Sequence, residues 1–432
     1  MKKWLAIILS IICAVNLLAC SGEQTDSAFE QSGMIDEAEI EAIFAPLRRE
    51  PQEETAKAKP DKSISQTFET QSAAETETKQ ESIEGVPVEY GHLFGNGYFD
   101  EKLVWTGYDE EYAEMIEELR SFFDERALGS VVVATDEDVL FAGGFHAKEI
   151  DGETWISPFT TYEIGELTQS FTAAAIMQQM QEGNLKGSDT LDKFFPEYPH
   201  GSQISVDNLL HMDSGIPDYI GESMKFFAGR SAEGYEAFMN GQMSDEEILS
   251  YFYKSELTFE PGEKSRFSNT NYYLLALILE QVTGITYEEY MQAYMFDVCG
   301  LEHTTCTETG NITGAPQGTG SNLAMGRCGR GAFDMHSNVC DILMWDRELM
   351  AGTLMDKEYL EYMTEAKNGY ACGWSGTGMD TISQYGNTDA FLCANFIVQK
   401  EEGNIYLVMM IPESKAWGLP EQVMGIVGSY LE

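Results

Sequence analysis

The stretch Tyr162-Glu-Ile-Gly-Glu-Leu-Thr-Gln-Ser-Phe-Thr-Ala-Ala-Ala-Ile176 anchors the reading of the chain. From Thr168 onward its spacing predicts a helix, with Ala173, Ile176, Met177 and Met180 on one face and Gly183 as the stop. Glu166 stands just ahead, at a helix N-terminus, where the aligned peptide dipoles favour a negative charge. A second helix is predicted over 270–282, closed by Gly284. Upstream, 108–127 has helical spacing through Tyr112, Met115, Ile116, Leu119, Phe122 and Phe123. Ser130-Val-Val-Val-Ala, the polar turn Asp136-Glu-Asp and Val139-Leu-Phe-Ala-Gly-Gly then read as strand, turn, strand. Near the C-terminus, 391–398 and 404–411 read as strands and 418–431 as a terminal helix. Strands at both ends around a helix-rich middle give an α+β class: an antiparallel sheet from both chain ends, flanked by helices, with a helical subdomain.

Outside this region the composition changes. The chain has 432 residues, with 26 Lys and Arg against 72 Asp and Glu and a formal net charge of −46. That balance excludes nucleic-acid binding, which needs clustered cations, and basic adhesion to an anionic membrane. A hydrophobic fraction of 43% is too high for a wholly disordered chain. Lys2 and Lys3 precede an apolar run from Trp4 to Leu18, too short for a comfortable membrane span, which ends in Leu17-Leu-Ala-Cys20. The layout resembles a bacterial lipoprotein signal. Residues 1–19 then form the signal peptide, Cys20 carries the lipid, and the mature protein is extracytoplasmic, anchored at the bacterial cell surface. The plainer reading is an ordinary signal or uncleaved anchor in which Cys20 is incidental. Residues 20–88, rich in Glu, Gln, Ser, Thr and Ala, read as an acidic disordered tether, with Ile35, Ile40, Ile43, Phe44 and Leu47 able to line one transient helix. Residues 89–432 carry the globular composition.

Five segments now stand in order. Besides 162–176 they are Ile204-Ser-Val-Asp-Asn-Leu-Leu-His-Met-Asp-Ser-Gly-Ile-Pro-Asp-Tyr219, Pro261-Gly-Glu-Lys-Ser-Arg-Phe-Ser-Asn-Thr-Asn-Tyr-Tyr-Leu-Leu275, Gly331-Ala-Phe-Asp-Met-His-Ser-Asn-Val-Cys-Asp341 and Tyr385-Gly-Asn-Thr-Asp-Ala-Phe391. Together they resemble the serine beta-lactamase and penicillin-binding-protein superfamily, in particular its class C beta-lactamase-related and D-alanyl-D-alanine carboxypeptidase-like branch. The resemblance runs from about Gly129 to the C-terminus.

It implies three motifs. A serine followed three residues on by a lysine attacks a carbonyl; a Tyr-x-Asn relays protons and orients substrate; a Lys or His, then Ser or Thr, then Gly holds the substrate's carboxylate and carbonyl. This chain departs from all three. Glu166 stands at the serine position, Gln169 at the lysine position and Phe267 at the tyrosine position, while Asn269 is kept and the third motif reads Asn387-Thr388-Asp389. No lysine in the chain has a serine three residues before it, so the first motif has no displaced copy. A carboxylate has no hydroxyl to deprotonate, an amide is no base, and a phenyl ring lacks the phenolic oxygen. A dipole-stabilised Glu166 anion is expected to be a poor proton donor. With Asp389 nearby, the cleft is expected to be acidic and to repel carboxylates.

Glu166 admits three readings: a remnant helix-start carboxylate, a recruited acid or base partnered by Asp389, or a cation ligand with Asn269, Asn387 and Asp389. His211-Met-Asp-Ser214 reads as a structural turn rather than a triad, because a triad is a spatial arrangement. His146, His200, His303 and His336 lack metal-ligand spacing, and Gly314 to Gly331 lacks the lysine of a phosphate loop and reads as a surface loop. No metal or cofactor is implied. Apart from Cys13 and Cys20, the six cysteines Cys299, Cys306, Cys328, Cys340, Cys372 and Cys393 are compatible with disulfides, Cys299–Cys306 and Cys372–Cys393 being the simplest, or with buried free thiols.

Two function classes follow. The first is a catalytically inactive binding or regulatory module at the cell envelope, using Glu166, Asn269, Asn387, Thr388 and Asp389 for a neutral or cationic ligand or a protein partner. The second is an active hydrolase on amide or ester substrates, such as D-Ala peptides, beta-lactams or other esters. A structural or decoy protein without a ligand is a third, weaker reading.

Overall fold

The computed structural model describes residues 86–101, 104–124, 129–145, 156–222, 243–306, 326–377, 380–388, 391–412 and 416–430. The expectations for the signal, Cys20, the tether up to residue 85, His146, Asp389 and most of the glycine-rich loop lie outside the described residues.

Among the described residues eleven strands build two sheets: β1 (Gly97–Phe99), β2 (Trp105–Gly107), β3 (Gly129–Thr135), β4 (Val139–Phe145), β5 (Tyr162–Glu163), β6 (Thr305–Cys306), β7 (Met335–Ser337), β8 (Gly376–Thr377), β9 (Thr381–Asn387), β10 (Leu392–Lys400) and β11 (Gly403–Ile411). The main sheet runs β1-β2-β4-β3-β11-β10-β9-β8, antiparallel throughout, so strands from the two chain ends meet where β3 pairs β11. The small sheet is β5-β7-β6. The helices that matter for the site are α1 (Ala113–Asp124), α2 (Thr168–Gln181), α3 (Val206–Leu210), α4 (Asn269–Thr283), α5 (Val339–Met350), α6 (Lys357–Thr364) and α7 (Leu419–Gly428). All described residues fall in one compact unit.

Strand β3 explains the layering. Val131 and Val133 point into a core shared with Met115, Ile116, Leu119 and Phe123 of α1 and with Val423 and Val427 of α7. Val132 and Ala134 point the other way, into the larger core of the helical region. A strand covered on both faces needs apolar residues without alternation, hence the unbroken Val-Val-Val-Ala. The α+β class, the sheet from both chain ends and the helical subdomain are therefore as the sequence indicates.

Two elements differ in detail. The first helix starts at Ala113, not at 108, because the Asp109 carboxylate accepts the Glu111 N–H at 2.9 Å and the Tyr112 N–H at 3.4 Å. This local cap holds Tyr108 outside the helix, 61% exposed. In α2, burial is not confined to one face: Thr168, Gln169, Ser170 and Thr172 are buried along with Ala173 and Ile176, while Met180 is only partly so. Phe171 stacks on Trp345 of α5 at 3.9 Å between centroids. The helix is enclosed by α4, α5 and α6 rather than laid on a surface.

All six cysteines are buried thiols, and neither the Cys299–Cys306 nor the Cys372–Cys393 bridge forms. Cys372 instead lies against His211, and Cys393 donates to the Glu163 carbonyl, so each thiol is spent on a different part of the interior.

Val86, inside the stretch read as tether, is already buried, and Tyr90 follows it into the core. Tyr90 Oη donates to Asp341 Oδ1 at 2.7 Å and accepts from Asn338 Nδ2 at 2.7 Å. Asp341, fully buried, also takes the His303 N–H and the Thr304 hydroxyl. The point of entry is thus fastened to the start of α5. We predict that Tyr90→Phe, which leaves a buried carboxylate short of one donor, lowers unfolding free energy by about 1–3 kcal/mol in chemical denaturation. An unchanged midpoint would show that the entry segment lies outside the cooperative unit.

Candidate functional site

The backbone at Ile164–Glu166 touches the end of β9. Gly165 adopts φ +54°, and a Cβ there would lie 2.9 Å from the Asn387 nitrogen. A Cβ on Gly386 would lie 1.9 Å from the Ile164 carbonyl oxygen. Two glycines thus let a short 3₁₀ turn, Gly165–Leu167, press against the strand immediately before α2 begins. The contact places Glu166 Oε2 at 2.8 Å from the Asn387 N–H, and Gln384 Nε2 of β9 donates to the Glu166 carbonyl at 3.1 Å.

At the start of α2, three residues after Glu166, Gln169 is buried and its amide is engaged at both ends. Its Nε2 donates to Asn269 Oδ1 at 3.3 Å. Its Oε1 accepts from Tyr370 Oη at 2.7 Å and from Gln384 Nε2 at 3.5 Å. Asn269 opens α4, and its N–H donates to Asp218 Oδ2 at 2.7 Å. Asp218 Oδ1 caps the turn that follows, through Ile220 N–H at 2.9 Å and Gly221 N–H at 3.4 Å. Phe267 is half-buried and packs on the core. Thr388 Oγ1 accepts the Phe391 N–H at 3.0 Å and closes the turn between β9 and β10. Ser170, buried beside Gln169, donates to the Leu167 carbonyl at 3.0 Å and is no displaced nucleophile.

The structure therefore brings Glu166 to Asn387, and Gln169 to Asn269, as the sequence positions imply. Of the residues in the cation reading, Glu166 Oε2 accepts the Asn387 N–H and the Asn269 side-chain oxygen accepts from Gln169, while Asp389 lies outside the described residues. Asp218, Tyr370 and Gln384 were not singled out in the sequence. Asp218 lay in a quoted segment, inside Ile216-Pro-Asp-Tyr, and Gln384 directly precedes Tyr385-Gly-Asn.

Glu166 corrects the electrostatic expectation. Burial pushes its carboxyl up from the ordinary 4.5 to about 7, against the Asn387 N–H and its own N–H, and the Asp218 charge adds to the rise. Loss of water outweighs the helix dipole, so near neutrality Glu166 shares a proton instead of standing as a fixed anion. Asp218 is raised as well, by burial, despite its N–H donors. None of the hydrogen bonds described for Glu166, Gln169, Asn269 or Gln384 involves a lysine, arginine or histidine.

The His211 segment has a different partner from the one its sequence offers. His211 Nδ1 lies 3.1 Å from Asp207 Oδ1, one turn back along α3, and Ser214 donates to Asn271 at 2.5 Å. His211 Nε2 is 3.6 Å from Cys372 Sγ, so acid, imidazole and thiol stand in a row. The row is not a nucleophile. Burial pulls the imidazole's pKa down, but Asp207 and Cys372 outweigh it and push it up to about 10, so no base is vacant. The thiol is fully buried, which raises its own pKa. Asp207 is further held by Lys367 and Tyr362, and the network ties α3 to the loop that carries Tyr370.

With this geometry in view, the family model described as Beta-lactamase matches residues 118–378. The chain belongs to the beta-lactamase family. It is similar to Protein flp of Staphylococcus aureus strain MW2, 29% identical over 185 residues, covering 42% of this chain and 35% of the relative. It is also similar to Penicillin-binding protein 4* of Bacillus subtilis strain 168, 30% identical over 179 residues, covering 41% of this chain and 37% of the relative. The match thus spans little more than a third of these curated relatives' length. Among solved structures, FmtA from Staphylococcus aureus superposes with a TM-score of 0.60 at 16% identity, over 78% of this chain and 91% of that one. The octameric penicillin-binding protein homologue from Pyrococcus abyssi gives 0.58 at 21% identity, over 74% and 76%. At these identities the structural likeness concerns the fold.

For this beta-lactamase family member a pH test follows. A carboxyl raised on folding contributes stability that is present below its unfolded pKa and lost as pH rises through its folded pKa. Glu166→Gln keeps an acceptor for the Asn387 N–H but never ionises. We predict equal stability of variant and wild type near pH 4, and an advantage for the variant that grows through pH 7 to at most about 3 kcal/mol, read by denaturant titration at each pH. A constant difference across that range would contradict the assignment.

Proposed function

We propose that the chain is a cell-envelope lipoprotein whose beta-lactamase-related domain is a binding or regulatory module and not an acyl-transfer enzyme. The observation that carries this reading is the state of Gln169. At the position the family resemblance gives to a lysine base, its amide is committed at both ends, to Asn269 and to Tyr370. An amide so held takes no proton, and the adjoining Glu166 offers no hydroxyl for it to activate. Losing a nucleophile from a coupled catalytic unit costs on the order of 10⁶ in turnover, about 8 kcal/mol of barrier. Phe267 removes the third member of the unit. Leu17-Leu-Ala-Cys20 after the apolar run supports the lipid anchor, and the acidic composition of 20–88 supports a tether that holds the domain away from the membrane.

The ligand class follows from charge. Glu166 and Asp218 accept from the Asn387 and Asn269 N–H groups and lie near enough for the charge of Asp218 to act on Glu166, an environment suited to a neutral or cationic group and unfavourable to a carboxylate. Solved structures that share the fold include a D-amino acid amidase from Ochrobactrum anthropi SV3, which directs attention to amidated D-residue peptides of the envelope. A second reading rests on Glu166: a carboxyl titrating at about 7 beside a buried aspartate suits general acid–base catalysis of amide or ester hydrolysis.

The test is a thermal shift of the full-length wild-type protein with soluble peptidoglycan fragments, amidated or carrying a free C-terminal carboxylate, each recovered afterwards and chromatographed. The binding reading predicts a saturable rise in Tm with amidated fragments, a smaller one with free acids, and quantitative recovery of both. Absence of any shift would refute the binding module. Conversion of a fragment, lost in Glu166→Gln, would establish the hydrolase instead.

A further inference from the structure

We propose that Arg330 is the pin of an acid-strengthened clasp: one guanidinium draws together four carboxyl groups from three helices and a turn, so the elements it joins tighten as pH falls and loosen as pH rises. The inference goes beyond the proposed function, because it concerns the conditions that hold the helical subdomain together and not what the cleft binds.

Three features carry it. First, the guanidinium is shared among acceptors. Arg330 is only 4% exposed and directly follows the short helix Gly326–Gly329. Its Nη1 lies 3.3 Å from Asp245 Oδ2, at the start of the helix Asp245–Ser250, and 3.5 Å from Glu280 Oε2 of α4. Its Nε lies 3.5 Å from Glu288 Oε1 of the helix Tyr287–Met291. A dedicated charge-assisted bond closes to about 2.7–2.9 Å, as Arg120 does on Asp100 at 2.7 Å. Three acceptors around one cation leave every contact long.

Second, negative charge is in excess. Asp334, in the turn that follows, is buried and accepts the Gly331 N–H at 3.2 Å, and the charges of Glu288 and Arg330 both act on it. Among the described contacts of this group, one cation thus meets four carboxyls. The phenols of Tyr219, Tyr273 and Tyr287 and the Cys328 thiol surround them and bring no positive charge. Burial pushes the Glu280 carboxyl up; Arg330 draws it back, while Glu288 and Asp245 raise it further. Burial pushes Asp334 well up, and Glu288 adds to the rise. Loss of water and mutual repulsion outweigh the single guanidinium.

Third, the clasp reaches α2. The Gly331 carbonyl accepts the Thr172 hydroxyl at 2.7 Å, and the Thr168 hydroxyl accepts the Met335 N–H at 3.2 Å. Gly331 has φ +70°, and a Cβ there would lie 2.6 Å from the Ala276 Cβ, so this segment is wedged between α2 and α4. Loosening at Arg330 is therefore felt on the helix that carries Gln169.

The sign follows from the two raised carboxyls. Each contributes stability that is present below its unfolded pKa and lost as pH rises through its folded value, so the clasp weakens from the ordinary carboxyl range upward. The experiment follows the Tm of full-length wild type, Arg330→Met, Arg330→Lys, Glu280→Gln and Asp334→Asn from pH 5 to pH 8. Arg330→Met removes the cation and leaves the carboxyls to one another. Its loss of Tm relative to wild type is expected to be at least about 5 °C greater at pH 8 than at pH 5, with part of that difference recovered in Arg330→Lys. Glu280→Gln and Asp334→Asn each remove one negative charge and keep an acceptor. Each is expected to lie closest to wild type at pH 5 and to gain on it as pH rises, by about 2 °C or more at pH 8. An Arg330→Met loss that is the same at both pH values overturns the proposal, because lost packing alone has no pH dependence. So does a difference between the two neutral variants and wild type that fails to grow with pH, and this arm serves even if Arg330→Met does not fold. Comparison with wild type at each pH removes the titration of Glu166, which all five proteins share. None of the substitutions alters Glu166, Gln169, Asn269 or Asn387, so this proposal and the binding-module reading fail separately.

Discussion

The site depends on one close approach of backbone to backbone, at Gly165 and Gly386. Because neither residue has a side chain, the turn before α2 can rest on β9. It delivers the Glu166 carboxyl to the Asn387 N–H and brings Gln384 under the Glu166 carbonyl. It also sets Gln169, one helical turn later, between α4 and the loop that carries Tyr370. A methyl group at Gly386 would sit within bonding range of the Ile164 oxygen, so the arrangement is steric before it is electrostatic.

Given that scaffold, the side chains decide the chemistry. A hydroxyl and an amine in these places would form an activated pair; a carboxyl and an amide form a closed hydrogen-bond network. The two carboxyls, Glu166 and Asp218, are both raised by loss of water, and the charge of Asp218 raises Glu166 further. Elsewhere the fold holds charge in the opposite way. His211 is kept protonated by Asp207, and Arg330 is buried among Asp245, Glu280 and Glu288. Those clusters set cations against carboxylates and are structural. The contacts described for Glu166 and Asp218 include no cation, in contrast to those two clusters.

How far the sequence disclosed this follows from the range of each interaction. Strand β3 was legible because burial on both faces leaves an unbroken apolar run, and α4 because its start and its Gly284 stop are local signals. The start of α1 was misplaced because helical spacing through Tyr108 competes with a cap from Asp109 that only the folded geometry reveals. Helix α2 was found through its apolar face, whereas the burial of Thr168, Gln169 and Thr172 depends on neighbours distant in the chain. The positions of Glu166, Gln169, Phe267, Asn269 and Asn387 were legible through the ordered motifs of a resembling family. Tyr370 was not, because it meets Gln169 across 201 residues with no local pattern to announce it. The direction of the Glu166 shift was missed for a related reason. The helix dipole is written in the sequence, whereas the desolvation that overrides it belongs to the packed structure.

The central claim, that this cleft has no group able to accept and release an acyl chain, is tested most directly by intact-mass spectrometry of the wild-type protein after prolonged incubation with a beta-lactam and with a fluorophosphonate. The account predicts a single unmodified mass under both conditions. A stoichiometric adduct mapped to a serine by peptide sequencing would contradict it.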